Sequence, residues 1–280
     1  MSNFQAFAVR GTSGPVVTLQ AGVDFGGHYW TTTSRRAAKV AALRRDSVAS
    51  VLSFKGDSWR LRAGRAYVLD VSQPPQAISD LPVFALAGSA LALIALRFPE
   101  QLLGYVADAA STPKSWRLNQ RVLIAVRHEE ELAWTDDGAI THQTDRFRHE
   151  PDARWRSSRP TKRRSAVQAE RDASPLDFDG TCWLGLDSDA GPIALPGSWT
   201  ARNSTVGVPA IVLAASGARL PGRVCVTIDD SESPRPSDKS GIIARGGGSI
   251  PRIRADVASI AVDVDSTTTW NGFRSTVVAA

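Results

Sequence analysis

The segment Tyr29-Trp30-Thr31-Thr32-Thr33-Ser34-Arg35-Arg36-Ala37-Ala38-Lys39-Val40 has the residue types needed to hold a phosphate. A strand rich in threonine and aromatics runs straight into a helix. Ala37, Val40, Ala41 and Leu43 recur at helical spacing, so the helix is expected over Ser34 to Asp46 with Ser34 as its N-cap. Acidic residues are favoured at a helix start and basic ones are not. Arg35 and Arg36 are therefore misplaced there unless an anion sits among them. Free backbone N–H groups, the hydroxyls of Thr32, Thr33 and Ser34, and two guanidinium forks together make a phosphate cradle. Lys39, one turn on from Arg35, adds a point charge. The same residues also fit a solvated basic helix end beside an ordinary cap.

Most other elements read as strands. Leu61, Ala63, Arg65, Tyr67, Leu69 and Val71 share one parity, and Arg60, Arg62, Gly64 and Asp70 the other. That alternation suits a half-buried strand. Ile260, Val262 and Val264 alternate likewise with Ala261, Asp263 and Asp265, and Arg121 to Arg127 reads as a more fully buried strand. Glu131 to Thr135 and Ala139 to His142 flank Asp136-Asp137-Gly138, a hairpin signal in which both central residues are expected at positive φ. Helices are expected within Ala77 to Leu96 and Pro99 to Ala110. The mixture is mainly β with α (α+β), each half a barrel or sandwich with helices beside it.

The chain has 280 residues, 42% hydrophobic and 22% charged, which excludes a disordered or collagenous protein. The apolar run Leu81 to Leu96 is shorter than a membrane span, so a buried helix and no membrane partner are expected. No secretory signal is visible at the N-terminus. Cys182 and Cys225 make no disulfide framework and read as reduced core residues of a cytoplasmic protein. His28, His128, His142 and His149 show no metal-ligand spacing, and the one methionine is Met1, so neither a metal site nor a Met-ligated haem is expected. Arginine outnumbers lysine 28 to 5. The arginine-rich stretch Asp145 to Arg171 reads as a solvated linker, with nucleic acid a less favoured partner because no binding motif accompanies it. The expected division is a first half over 1–145, a basic linker over 146–176 and a second half over 177–280.

The two halves resemble each other. Gly14-Pro15-Val16 answers to Gly191-Pro192-Ile193, Val48 to Phe54 answers to Arg223 to Asp229, and Leu61 to Ala66 answers to Ile243 to Gly248. Three matches in order suggest an internal duplication. Thr31 to Phe54 also resembles the cofactor segment of the pyridoxamine 5'-phosphate oxidase-like superfamily, the flavin and deazaflavin split β-barrels. The resemblance rests on Thr31 to Thr33, Ser34-Arg35-Arg36, Lys39-Val40, Leu43-Arg44-Arg45-Asp46 and Val48 to Leu52. It extends to Asp238 to Ile243 and Trp270 to Phe273 as closing strands of a second barrel. It implies that Ser34, Arg35, Arg36 and Lys39 hold the phosphate of FMN, or of a deazaflavin or FAD instead. It also implies that Thr31, Thr32 and Thr33 line the ribityl chain or ring edge. Arg36 stands where the oxidase proper would have lysine, and no counterpart of its pyridoxal-phosphate-binding residues is found.

At the matching place the second half reads Val206 to Leu213, without the basic array, so one site is expected, walled by that half in an intramolecular pseudo-dimer or a homodimer. The implied activity is a flavin-dependent oxidoreductase acting on a small organic molecule. The alternative is a non-catalytic flavin or anionic-cofactor carrier. No side chain stands out as acid, base or nucleophile, and Trp30 is a candidate to stack on the ring.

Overall fold

Strands form where apolar residues alternate or run unbroken, and closure of those strands into two rings is what positions the site. The computed structural model describes residues 4–70, 80–108, 112–114, 117, 120–148, 179–230 and 235–279. In the first half these are β1 (Phe4–Gly11), β2 (Gly14–Phe25), β3 (His28–Ser34), β4 (Val48–Lys55), β5 (Ser58–Leu69) and β6 (Arg121–Arg127). They close in the order β1-β2-β3-β6-β5-β4 and back to β1. Helix α1 (Ala38–Arg45) joins β3 to β4, while α2 (Leu81–Arg97) and α3 (Pro99–Ala107) lie between β5 and β6. A hairpin of β7 (Glu130–Thr135) and β8 (Ile140–Gln143) continues from β5.

The second half repeats this plan with β9 (Gly180–Ser188), β10 (Gly191–Thr200), β11 (Thr205–Pro209), α4 (Ala210–Ala215), β12 (Gly222–Asp230), β13 (Ser240–Gly248) and β15 (Val257–Asn271). Its ring runs β9-β10-β11-β15-β13-β12 and back to β9, with β14 (Arg252–Arg254) and β16 (Arg274–Ala279) paired to β15. The order of pairing is the same in both rings, as is the helix after the third strand. The three sequence matches fall on corresponding strands and keep register: Val9 faces Ala49 in the first ring and Leu186 faces Val224 in the second. The fold is two tandem barrels meeting as a pseudo-dimer within one chain.

Burial explains the strand patterns. Phe7 and Val9 of β1 point into the first barrel with Tyr29, Ile124 and Val126, and Ala42 and Leu43 of α1 close over them. Ala6 and Ala8, on the other face of β1, join Val17, Leu52 and Leu61 in a core shared with Leu184, Ile193 and Leu195 of the second barrel. β1 is thus apolar without alternation because both its faces are covered. β6 is covered twice in the same way, by the barrel interior on one side and by Val83, Ala87 and Ala90 of α2 on the other.

The halves meet about an approximate two-fold axis. Arg10 pairs with Pro15 and Asp187 with Pro192, so they hold corresponding positions in the two rings. The two side chains meet across the axis at 3.0 Å, and Arg10 also reaches Asp46 at 2.8 Å. Identical subunits would set like charge against like there; two unequal halves set arginine against aspartate. Deeper in, the Thr227 hydroxyl donates to the Val17 carbonyl at 2.8 Å.

Three expectations change. The first helix begins at Ala38, with Ala37 as a cap lacking a side-chain bond, so Ser34 is the last residue of β3 and not the N-cap. Trp30 is fully buried against α2 and donates to the Phe25 carbonyl at 2.8 Å, too deep to stack on a ligand. In the 136–138 turn only Gly138 has positive φ (87°), and Thr135 bonds Ala139 across a wider loop. Phe147, at the start of the expected linker, is fully buried in the shared core. The expected linker from residue 149 on lies outside the described residues. Cys182 and Cys225 are buried and unbridged.

Gly64 and Gly246 occupy one register position in the two rings, opposite Ala49 and Val224. Near Gly64, β5 changes partner from β7 to β6; a Cβ there would strike the Arg127 carbonyl, and one on Gly246 the Asp263 carbonyl. Backbone cannot yield as a flexible side chain can. Gly64→Ala and Gly246→Ala should each destabilise the fold by about 3 kcal/mol or more in chemical denaturation. Gly88→Ala, with open space in the middle of α2, should be neutral or gain about 1 kcal/mol.

Candidate functional site

A cavity of about 690 Å³ opens between the first ring, the α2–α3 pair and the second ring. That is ample for a cofactor-sized ligand. One wall is polar and basic. Thr32, Thr33 and Ser34 reach it from the end of β3, and Arg36 and Lys39 from the turn and first residues of α1. Arg121 enters from β6, and Asp229 and Lys239 enter from the second half. The rest of the lining is largely apolar, formed by Leu91, Ile94, Phe98 and Leu102 of the helices, with Leu123 of β6 beside Thr32 on the sheet.

Five of the seven residues expected at the site are brought together: Thr32, Thr33, Ser34, Arg36 and Lys39. Two are not. Thr31 is fully buried inside the wall, where its hydroxyl meets the Gln20 amide oxygen at 3.0 Å and the Ala21 carbonyl at 2.7 Å. Strand alternation sends its neighbour Thr32 to the other face. Arg35 turns away to bind Asp70, at 2.8 Å. Backbone amides contribute less than expected as well. The N–H of Arg35 is taken by the Gln120 carbonyl, that of Arg36 by the Ser34 hydroxyl and that of Ala37 by the Ser34 carbonyl. The positive field at the site comes chiefly from side chains.

Those side chains are arranged for an anion. Arg121 donates to the Thr32 hydroxyl and carbonyl, the latter at 2.8 Å, and to the Tyr105 hydroxyl at 2.8 Å, lying over the Tyr105 ring. Its acceptors are neutral. Lys39 donates to the Thr18 hydroxyl at 3.0 Å, and Lys239 sits 4.6 Å over the Phe4 ring. Among the described residues none of Arg36, Lys39, Arg121 and Lys239 has a carboxylate within ion-pair distance. Burial pushes the Lys39 amine down to about 7; repulsion from Arg121 adds to this, and Asp229 opposes it. Burial also lowers Lys239, with Asp229 opposing and Arg121 adding. Asp229 thus offsets the cost of burying these two amines only in part, and the cluster stays net positive.

The sequence reading missed Thr18, Tyr105, Arg121, Asp229 and Lys239. Arg121 alone carried a local signal, an arginine opening an otherwise apolar strand. The counterpart place in the second ring is filled. β10 and β11 put Val206 where β2 and β3 put Thr31, since Trp199 faces Val206 as Gly22 faces Thr31. Gly207, Val208 and Pro209 then follow where the first ring has Thr32, Thr33 and Ser34, and the Gly138 turn of the first half lies against Pro209 and Ile211. Among the described residues no histidine, cysteine or methionine lines the 690 Å³ cavity.

No protein-family model matches the chain, and no curated protein matches it. Solved structures do. A pyridoxamine 5'-phosphate oxidase-related, FMN binding protein from Nostoc punctiforme is 13% identical over 51% of this chain and 82% of its own, with a TM-score of 0.37. A heme binding protein from Mycobacterium smegmatis is 19% identical over 51% of this chain and 53% of its own, at 0.34. A protein described as an F420 reductase is 12% identical over 46% of this chain and 87% of its own, at 0.28. Likeness of this degree says nothing of what this chain binds.

The lowered Lys39 amine makes a stability prediction. In the unfolded chain the amine keeps its proton to about pH 10.5, in the folded chain only to about 7. The unfolded state therefore binds more protons between those values, and this group makes stability rise with pH across that window. Lys39→Met should raise the melting temperature at pH 7 and flatten the rise between pH 7 and 10. Lys239 leaves a residual slope. Inorganic phosphate should stabilise the wild type more at pH 7 than at pH 9, followed by differential scanning fluorimetry.

Proposed function

We propose that the cavity holds a phosphorylated flavin of the FMN type, and that the protein is a flavin-dependent oxidoreductase acting on a small organic substrate. The observation that carries this reading is the convergence of Arg36, Lys39, Arg121 and Lys239, without ion-pair partners among the described residues, on a cavity that the helices line with apolar side chains. A phosphate dianion suits the cations, the threonine and serine hydroxyls suit a polyhydroxyl chain, and a planar apolar ring suits Leu91, Ile94, Phe98 and Leu123. When bound, the flavin supplies the hydride or electron chemistry.

The chain's own residues bind and orient it. Arg121 is pre-oriented by Thr32 and Tyr105, so it loses little freedom on meeting an anion. Lys39, whose proton is lost near neutrality, regains it as phosphate approaches. Asp229, from the second half, offsets part of the positive charge and offers an acceptor for hydroxyls. The second half thus supplies Asp229 and Lys239 to the one site while its own counterpart place is apolar. We read it as a duplicated barrel that kept the fold and lost the cradle. Non-catalytic carriage of the same cofactor is the second reading. It is favoured by the lining itself, in which Asp229 is the one carboxylate or histidine among the described residues.

FMN should bind one per chain, with absorbance and fluorescence of the flavin reporting occupancy. Lys39→Met and Arg121→Ala should each weaken it about 10- to 100-fold, from about 1.5–3 kcal/mol per charge-assisted bond. Arg36→Ala should act in the same direction, more weakly because it is exposed at the mouth. Arg35→Ala should change affinity less than about threefold, because its partner is Asp70. Affinity should fall as pH rises through 7 and 8, when Lys39 loses its proton. Bleaching of bound flavin by NAD(P)H or by reduced deazaflavin supports the enzyme; a bound flavin inert to every donor supports the carrier. A protein that binds neither FMN, FAD nor deazaflavin overturns both.

A further inference from the structure

We propose that the outward face of the α2–α3 pair docks on the surface of an anionic phospholipid bilayer. Leu81 to Ala107 carries two charged residues, Arg97 and Glu100, both at the bend where the helices meet at 84°. Among the described residues no single helix is long and apolar enough to cross a membrane. The sequence pattern suggests a buried helix, and the structure buries only one side of it. Val83, Ala87 and Ala90 pack on Trp30, Leu123 and Ala125. On the other side Ala85, Ala92, Leu93 and Leu96 face out, with Ser89 the one polar side chain along that stripe. Leu96 is 78% exposed, Leu103 66% and Val106 60%. A helix apolar on every side belongs in a core or in lipid, and this one is not in the core.

The chemistry of the face favours lipid over a protein partner. Protein hot spots are built on tryptophan, tyrosine and arginine. Here the aromatics of the pair turn inward: Phe98 is buried, Tyr105 lies under Arg121 and Phe84 packs on the barrel. What faces out is aliphatic apart from Ser89, as for an interfacial helix whose apolar side enters the acyl boundary. The flanking charge complements anionic headgroups. Arg97 at the bend and Lys114 and Arg117 after α3 are exposed; the acidic groups nearby are exposed Glu100, half-buried Asp80 and buried Asp108, which accepts from the Ser237 N–H at 3.0 Å. Leu102 both lines the cavity and is 42% exposed, so the lipid-facing surface is continuous with the site. The proposal holds whether or not the cavity binds a flavin.

The test is co-sedimentation of the full chain with vesicles of phosphatidylcholine, with and without phosphatidylglycerol, at low and high salt. The chain should sediment with the anionic vesicles, more weakly at high salt. The variant Leu96→Glu with Leu103→Glu and Val106→Glu should lose about tenfold or more of this partitioning while its circular dichroism is unchanged. As a measure independent of that variant, Leu96→Cys carrying a polarity-sensitive dye should shift to the blue on adding anionic vesicles; Cys182 and Cys225 are buried, so the label reports residue 96. The proposal is overturned if the chain stays in the supernatant with both vesicles, or if the dye does not shift. It is equally overturned if the acidic variant loses self-association while vesicle binding is absent.

Discussion

Each barrel carries an outward apolar face that water cannot cover, and the other barrel covers it. Ala6, Ala8, Val17, Leu52 and Leu61 would be exposed in a lone first half; Leu184, Leu186, Ile193 and Leu195 would be exposed in a lone second half. Pressing the two together removes both faces from water at about 25 cal/mol per Å² of apolar area. The rest of the architecture follows from that contact. It sets the approximate two-fold axis, and it brings Asp229 and Lys239 over a basic turn more than a hundred residues earlier in the chain.

Covalent linkage of the halves lets them differ where identical subunits cannot. Arg10 and Asp187 hold one position in the two rings and attract each other, where a pair of equal subunits would oppose like charges. The pair is part-exposed, so its contribution is to register more than to stability. The same freedom lets one ring keep hydroxyls and cations while the other has Val208, Pro209 and Ala210. An asymmetric dimer within one chain can thus devote one barrel to the ligand and the other to closing the cavity. The glycines at 64 and 246 remain alike in both because ring closure brings a carbonyl against each of them.

Within the site, charge is held under tension. Lys39 is desolvated and repelled by Arg121, and only Asp229 eases it. Arg121 is anchored on Thr32 and Tyr105 without neutralisation by a described carboxylate. Such a cluster costs stability in the free protein and returns it on binding an anion, which is the usual exchange between pre-organisation and fold stability. The rest of the lining belongs largely to helices that are apolar on both sides, so the cavity is bounded there by a surface with its own unmet need for an apolar neighbour.

Much of the fold was legible in the residues. Alternation marked β5 and β15, unbroken apolar runs marked β6, and the three matched segments fell on β2 and β10, β4 and β12, β5 and β13. These signals are local, because burial on one face or two is written in a period of two along a single strand. The basic turn after β3 was legible for the same reason, as a short run of residues whose charges need a partner. Which of its members reach the cavity was not. Thr31 and Thr32 differ only in parity, and Arg35 and Arg36 only in direction; Asp70 decides the latter from thirty-five residues away. Lys239 carries no local mark of function, and Arg121 only its place at the head of an apolar strand. Arg121 reaches the turn because β6 pairs with β3, and Lys239 because the two rings pack face to face; convergence across such distances is set by closure and packing, which no window of sequence contains.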